Sequence, residues 1–219
     1  MKQIERIIQN IKDENSGYSP YEFFSDWVKS CSIAISNACT LFPDEDWEIE
    51  YLNIIRKYNK RDQERFSEIL GLLCEAYEKE IRDVLGEIFM SQELGNSRVG
   101  QFFTPFHISE LTAKIALDKA GEPKKYRVIE PSSGSGGMII AAAKILKEQG
   151  VNYQKDMIVI AQDLDWRAVY MTYVQLSLLG IDAIVVQGDS LKSSLENINL
   201  EEMDSHQILL TPRRAGTLI

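Results

Sequence analysis

The sequence predicts an α/β protein in which a helical domain precedes a parallel sheet with covering helices. Two observations support this. Over residues 1–98 the apolar residues recur at three-and-four spacing, as on one face of a helix, whereas after Gly100 short β-branched runs alternate with helical stretches. Strict alternation of strand and helix is typical of parallel sheets with right-handed crossovers. We therefore predict a helical domain at 1–98 and an α/β domain at 99–219.

The first domain is predicted to contain four helices. Its apolar residues keep helical spacing through each pattern, and glycine or proline separates the first three patterns. The predicted ranges are 2–14, 21–41, 44–58 and 61–94.

The second domain is predicted to contain four strands joined by helices. The strand patterns cover 126–130, 158–162, 183–187 and 207–211, and the helical patterns cover 108–120, 136–148 and 166–179. We expect the strand order 3-2-1-4, which would leave the fourth strand as an apolar edge. An uncovered edge strand pairs with another chain or is covered by another segment. The sheet is therefore an incomplete piece, or a partner subunit or second copy covers that edge, or the final residues fold over it.

Composition limits the function classes. The chain of 219 residues has a net charge of −9, and 1–98 holds 12 basic and 19 acidic residues, so it does not display the basic face of a protein that grips nucleic acid unaided. Its uncharged stretches are too short to span a membrane, and its N-terminus lacks a secretion signal, so we expect a cytoplasmic protein. Three cysteines without a CxxC pair predict neither a disulfide framework nor a metal site.

A glycine-rich segment joins the first predicted strand to the next helix. It reads Glu-Pro-Ser-Ser-Gly-Ser-Gly-Gly over 130–137. Glycines there let the backbone approach a ligand closely, and a helix start offers free amide donors. The segment lacks the third glycine of a dinucleotide fingerprint and the Gly-Lys-Ser/Thr of a phosphate-binding loop. We predict a cofactor of another kind on this turn.

Acidic residues follow the next two strands. Asp163 ends the second strand and Asp189 follows the third. A carboxylate after the second strand can accept two hydrogen bonds from a ribose diol, and one after the third can accept from an adenine amino group. The pattern predicts an adenosine pocket without a pyrophosphate site, although each acid alone would equally suit a helix cap.

A fourth element precedes the sheet, the segment Gly-Gln-Phe-Phe-Thr-Pro over 100–105. Thr104 suits a helix N-cap and Pro105 the first helical position. Paired phenylalanines in a loop are costly unless they cover something. We therefore place this segment beside the predicted cofactor.

Together these elements resemble the cofactor-binding motifs of adenine-specific DNA methyltransferases, above all the modification subunits of type I restriction systems. Those subunits pair an N-terminal helical domain with an S-adenosylmethionine-binding domain. The resemblance covers nearly the whole chain, and 100–105 is its most specific part. It implies a Rossmann-like methyltransferase fold, S-adenosylmethionine as cofactor, and DNA as partner, gripped mainly through a specificity subunit.

The resemblance also implies a role for each motif residue. Phe103 and Thr104 would border the methionine end of the cofactor, and Glu130 would hold its ammonium through water. Gly134 and Gly136 would pass beneath it. The remaining two roles are those of Asp163 at the ribose and Asp189 at the adenine. We predict these seven residues as the cofactor-binding set.

The catalytic motif of that family is not visible. It would be Asn or Asp followed by two prolines and an aromatic residue, whereas the fourth strand continues into Thr211-Pro212-Arg213, and no Phe, Tyr or Trp follows Tyr173. Catalytic residues are therefore unassigned. Three hypotheses stay open: an adenine-specific DNA methyltransferase or a subunit of one, an inactive S-adenosylmethionine-binding interaction subunit, and a methyltransferase with another class of acceptor.

Overall fold

A computed structural model describes residues 2–13, 15–39, 44–91, 103–120, 125–192 and 207–216. Five helices come first: α1 (Lys2–Ile11), α2 (Pro20–Ala38), α3 (Glu45–Lys57), α4 (Lys60–Lys79) and α5 (Val84–Ser91). The α/β part follows: α6 (Phe106–Ala120), β1 (Tyr126–Glu130), α7 (Gly137–Glu148), α8 (Tyr153–Asp156), β2 (Met157–Asp163), α9 (Trp166–Leu178), β3 (Asp182–Gln187), β4 (Ile208–Leu210) and α10 (Pro212–Ala215). Helices followed by an α/β sheet confirm the predicted fold class.

Polar caps explain where three of the first helices begin. The side chains of Ser19, Asp44 and Asn59 each accept a hydrogen bond from a backbone amide in the first turn of α2, α3 and α4. Such a cap satisfies one of the amides that a helix start leaves without a partner.

The single helix predicted at 61–94 was wrong, because the chain forms two helices there. Glu80 has extended backbone angles and ends α4. Three residues later the Asp83 carboxylate accepts a hydrogen bond from the Gly86 amide at 2.9 Å and caps α5. The apolar spacing continues across the break, so periodicity alone could not show it. Residues 92–94, at the end of that prediction, lie outside the described residues.

One hydrophobic core runs through the helices and the sheet. Trp27 of α2 and Phe89 of α5 are buried in the same cluster as Val159 of β2 and Tyr173 of α9. Helix α2 packs along α9, where the Ser32 hydroxyl approaches the Tyr170 carbonyl at 3.4 Å. The predicted domain boundary at 98/99 falls outside the described residues and stays a prediction.

The sheet has the order β1-β2-β3-β4, which corrects the predicted order 3-2-1-4. Strands β1, β2 and β3 are parallel, but β4 pairs antiparallel with β3, so the expectation of an all-parallel sheet was also wrong. Thr211 explains the position of β4: its amide donates to the Ala183 carbonyl, and its hydroxyl donates to the Ile181 carbonyl at 2.7 Å. These bonds hold the end of β4 beside the start of β3.

Among the described residues, no helix combines the length and the apolar character needed to cross a lipid bilayer.

Candidate functional site

The glycine turn between β1 and α7 has a backbone that other residues would strain. Gly134 and Gly136 have φ angles of +56° and +94°, a region that side chains rarely adopt. A Cβ atom on Gly134 would lie 2.9 Å from the Phe103 ring. The turn closes through a hydrogen bond of 2.7 Å from the Gly136 amide to the Ser133 carbonyl. Position 134 therefore favours glycine both for its backbone angle and for space, and position 136 for its backbone angle.

Asp163 holds this turn from the end of β2. One of its carboxylate oxygens accepts from the Gly134 amide at 2.8 Å, and the other accepts from the Asp165 amide at 3.0 Å. The backbones also meet, because the Ser133 amide donates to the Gln162 carbonyl at 2.8 Å. Burial raises the pKa of the Asp163 carboxyl. The predicted acid and the predicted turn are thus in direct contact.

Phe103 and Thr104 approach the turn from the other side. The Phe103 ring packs on Phe89 with centroids 5.0 Å apart. Helix α6 begins at Phe106, and the Pro105 carbonyl accepts from the amides of Ile108 and Ser109. The prediction that Thr104 caps this helix was therefore wrong by one residue, and Thr104 is exposed instead.

These elements enclose a cavity of about 380 Å³ at the carboxyl ends of β1 and β2. Its wall contains Phe103, Thr104, Ser109, Ser132, Ser133, Gly134, Ser135, Gly137, Met138 and Asp163. Four of the seven predicted residues are in that wall. The wall is mostly small and hydroxylic, with one phenyl ring and one carboxylate, which suits a polar ligand with an aromatic or apolar part.

Two features show that this cavity can take a polar ligand. The Ser109 side chain is fully buried, and its hydroxyl has no hydrogen-bond partner. Helix α7 begins beside it at Gly137, and the preceding residue, Gly136, has no side chain to cap the helix. A buried hydroxyl and free amides at a helix start are groups that a ligand with carboxylate or hydroxyl oxygens would satisfy.

The other three predicted residues lie outside the cavity wall. Glu130 accepts from the Ser132 amide at 3.2 Å at the end of β1, where burial raises the pKa of its carboxyl. Gly136 lies behind the turn against Thr172. Asp189 caps its own turn by accepting from the Leu191 amide at 3.0 Å and pairs with Lys192. Their cofactor roles stay predictions.

Strands β2 and β3 nonetheless bring the two acidic segments side by side. Asp163 is in register with Gln187, and the Gly188 amide donates to the Asp163 carbonyl at 2.9 Å. Two exposed leucines stand beside these acids, since Leu164 is 66% and Leu191 is 96% exposed. The sequence analysis did not single out either leucine, although an apolar residue one or two positions after a strand-end acid is a signal that could be sought.

Asp83 was also missed, because it lies in a helical pattern 52 positions before its partner. The Ser135 hydroxyl of the glycine turn donates to its carboxylate at 2.5 Å. Only the short spacing from Asp83 to Gly86 gave any sign in the sequence, and that spacing suggests a helix cap alone.

Comparisons with known proteins find similarity in both sequence and fold. The family model described as N-6 DNA Methylase matches residues 72–212. A type I restriction enzyme methylase subunit from Methanocaldococcus jannaschii is 25% identical over 118 residues, and the match covers 52% of this chain and 20% of that protein.

Among solved structures, a Listeria monocytogenes protein assigned to the class I S-adenosylmethionine-dependent methyltransferases has a similar fold. Its TM-score is 0.56 at 13% identity, covering 89% of this chain and 55% of that one. The chain thus spans about a fifth of its curated relative and about half of this structural neighbour.

Proposed function

Because the chain belongs to the N-6 DNA methylase family, we propose that it binds S-adenosylmethionine in the cavity at the glycine turn and takes part in methylating adenine in DNA. The main observation in support is the hydrogen bond between Asp163 and Gly134, at a cavity that Phe103 and Thr104 also line. The fully buried, unpartnered hydroxyl of Ser109 supports a polar ligand there.

The proposal gives each side of the cavity a part of the cofactor. Phe103 and Thr104 border the methionine end, with Glu130 behind it. Gly134 and Gly136 form the turn beneath the cofactor: a Cβ on Gly134 would meet the Phe103 ring, and Gly136 gives the turn its backbone angle. Such close approach is the use of glycine in a binding turn.

The proposal places the adenosine end of the cofactor at the carboxyl ends of β2 and β3. Asp163 accepts hydrogen bonds from the ribose, and Asp189 accepts from the adenine amino group. Leu164 and Leu191 add apolar faces for the base, which would explain why both are exposed in the free chain.

Charge supports the same ligand. S-adenosylmethionine carries an electrophilic methyl group on a positively charged sulfonium, and that is the chemistry it supplies. Glu130 and Asp163 put two carboxylates at the turn, whereas no Lys or Arg lines the described cavity wall. A cationic ligand relieves the cost of keeping partly buried carboxylates ionised.

The acceptor of the target amino group is not Thr211. Its hydroxyl is fully buried and bonds the carbonyls of Ile181 and Ala183, at the start of β3. The cavity lies at the opposite, carboxyl ends of the strands. Our proposal therefore assigns cofactor binding to this chain and places the amino-group acceptor outside the described residues or on another subunit. DNA and a specificity subunit are the partners proposed, and the cytoplasm is the proposed location.

The experiment uses S-adenosylmethionine labelled in its methyl group. The purified chain is incubated with adenine-rich duplex DNA, alone and with a candidate specificity subunit, while calorimetry measures cofactor binding. Label in adenine supports the full proposal. Binding without transfer in either arm would leave the interaction-subunit hypothesis in its place, and absence of binding would overturn the cofactor assignment.

A further inference from the structure

A buried polar cluster lies directly beneath the glycine turn. At its centre is Asp83, which is 2% exposed and precedes α5. One carboxylate oxygen accepts from the Ser135 hydroxyl at 2.5 Å. The other accepts from the Gly86 amide at 2.9 Å and from the Gln175 side-chain amide at 2.8 Å. Asp83 thus joins α5, α9 and the turn.

Gln175 of α9 completes the cluster and is fully buried. Its amide nitrogen also donates to the Ser135 carbonyl at 2.7 Å. Its oxygen accepts from the Leu85 amide at 3.0 Å and from the Tyr77 hydroxyl. Both the side chain and the backbone of Ser135 are therefore held by groups that are anchored in the helical part of the chain.

The surrounding backbone leaves room for this carboxylate. A Cβ atom on Gly86 would lie 2.1 Å from an Asp83 oxygen, and one on Gly137 would lie 2.9 Å from the same atom. Neither glycine has a positive φ angle. A side chain at either position would therefore be excluded by lack of space and not by the backbone conformation. The backbones of the turn and of α5 therefore both lie too close to the Asp83 carboxylate for a side chain to fit between them.

We propose that Asp83 is a positioning residue for the cofactor site. Through Ser135 and Gln175 it fixes the shape of the glycine turn, so the helices α4 and α5 influence the affinity of a cavity although no residue of either helix is in its described wall. The inference rests on the proposed function for the identity of the ligand. The coupling itself concerns the free chain and can be measured without any ligand.

The competing explanation is that Asp83 only caps α5 and stabilises the protein. Asp83→Ala would destabilise the chain under both explanations, because it leaves buried donors without an acceptor. Only a positioning role predicts a change that is local to the turn. Asp83→Asn separates the bonds from the charge, since its oxygen can accept from Gly86 and Gln175 while its nitrogen donates to Ser135.

The test compares three full-length variants with the wild-type chain. Asp83→Ala breaks the cluster and Asp83→Asn retains its geometry without the charge. Asp62→Ala is the matched control, because Asp62 is also 2% exposed and bonds Arg65 away from the turn. Hydrogen exchange of the peptide covering 132–140 reports on the turn, and calorimetry gives the dissociation constant for S-adenosylmethionine.

We expect Asp83→Ala to speed exchange at the turn and to weaken cofactor binding, each by roughly tenfold or more, the scale for stranding buried donors. Asp83→Asn and Asp62→Ala should stay within about threefold of wild type in both measurements. Wild-type exchange at the turn in a folded Asp83→Ala chain, or an equal effect of Asp62→Ala, would overturn the inference.

Two further outcomes, a variant that does not fold and a chain that does not bind the cofactor, can also be interpreted. If Asp83→Ala does not fold, Ser135→Ala removes one bond of the cluster, and unchanged exchange at the turn would then count against the proposal. If the wild-type chain does not bind S-adenosylmethionine, the proposed function fails, while the exchange data still decide whether Asp83 shapes the turn.

Discussion

The Asp163 carboxylate accepts a hydrogen bond from the Gly134 amide at 2.8 Å. The residue that ends β2 therefore shapes the turn that follows β1. Each carboxylate oxygen has two lone pairs, and the bonds from Gly134 and Asp165 use one on each oxygen. A hydrogen bond from the Leu164 amide also lowers the pKa of this carboxyl. The acceptor capacity that these donors leave is what the proposed ribose bonds would use.

Asp163→Ala should weaken S-adenosylmethionine binding by roughly 1 to 3 kcal/mol, the scale for stranding buried donors. Both the ribose hydroxyls and the Gly134 amide lose their acceptor. Calorimetry of the purified variant measures the change. Unchanged affinity in a folded variant would remove the ribose assignment.

The matched control is Asp165→Ala. Asp165 caps α9 by accepting from the Arg167 amide at 2.7 Å, so the loss of its carboxylate should cost about 1 kcal/mol of stability. Because its side chain is not in the described cavity wall, cofactor affinity should stay at the wild-type value.

Gly134→Ala should both strain the backbone and push against a ring. Its φ angle is +56°, and the new Cβ would lie 2.9 Å from the Phe103 ring. Gly150→Ala is the control, since Gly150 has φ of +81° but nothing within 4 Å of the new atom. Both should lose about 1 to 2 kcal/mol of unfolding free energy through backbone strain.

Only Gly134→Ala should also lose cofactor affinity, because Phe103 must move away from the cavity wall. Chemical denaturation and calorimetry of the two variants separate strain from displacement. Equal cofactor affinity in both would show that the Phe103 contact has no part in binding.

The parts of the fold that the sequence predicted are those with local signals. Strand β1 forms at 126–130 as predicted, and α9 begins at Trp166 as predicted. Strand alternation and helical spacing depend only on residues that are near one another in the sequence, so they can be recognised without knowing the tertiary structure. The turn and Asp163 were likewise predicted because the chain places each at a strand end, where parallel strands meet.

What the sequence could not predict depends on distant pairing. The position of β4 follows from bonds between Thr211 and the start of β3, about thirty residues away. Asp83 acquires its role only when α5 meets the glycine turn. No local pattern encodes either contact, and the apolar periodicity that predicted one helix at 61–94 even concealed the break where Asp83 lies.

Cofactor affinity should depend on pH. Burial raises the pKa of both Asp163 and Glu130 in the free chain. Hydroxyl and ammonium donors on the ligand favour the ionised carboxylates, so binding lowers these pKa values and releases protons. Affinity should therefore fall as pH drops from neutrality through the raised pKa values.

Calorimetry in two buffers of different ionisation enthalpy would count the released protons at each pH. Asp163→Asn should reduce both the proton release and the slope, because only Glu130 then titrates. An affinity that is flat over this range would show that neither carboxylate changes its protonation on binding.

Thr211→Val tests the antiparallel position of β4. The Thr211 hydroxyl is fully buried, donates to the Ile181 carbonyl at 2.7 Å and accepts from the Ala183 amide at 3.0 Å. Valine has nearly the same shape but leaves that amide without this partner, so unfolding free energy should fall by about 1 to 3 kcal/mol. Chemical denaturation measures it.

Thr211→Ser is the control, because it keeps the hydroxyl and loses only a methyl group, so it should be the more stable of the two variants. Cofactor affinity should be unchanged in both, since these bonds lie at the start of β3 while the cavity lies at the opposite strand ends. A valine variant as stable as wild type would mean that the Thr211 hydroxyl does not hold β4 beside β3, and a loss of cofactor affinity would bring Thr211 back as a residue of the site.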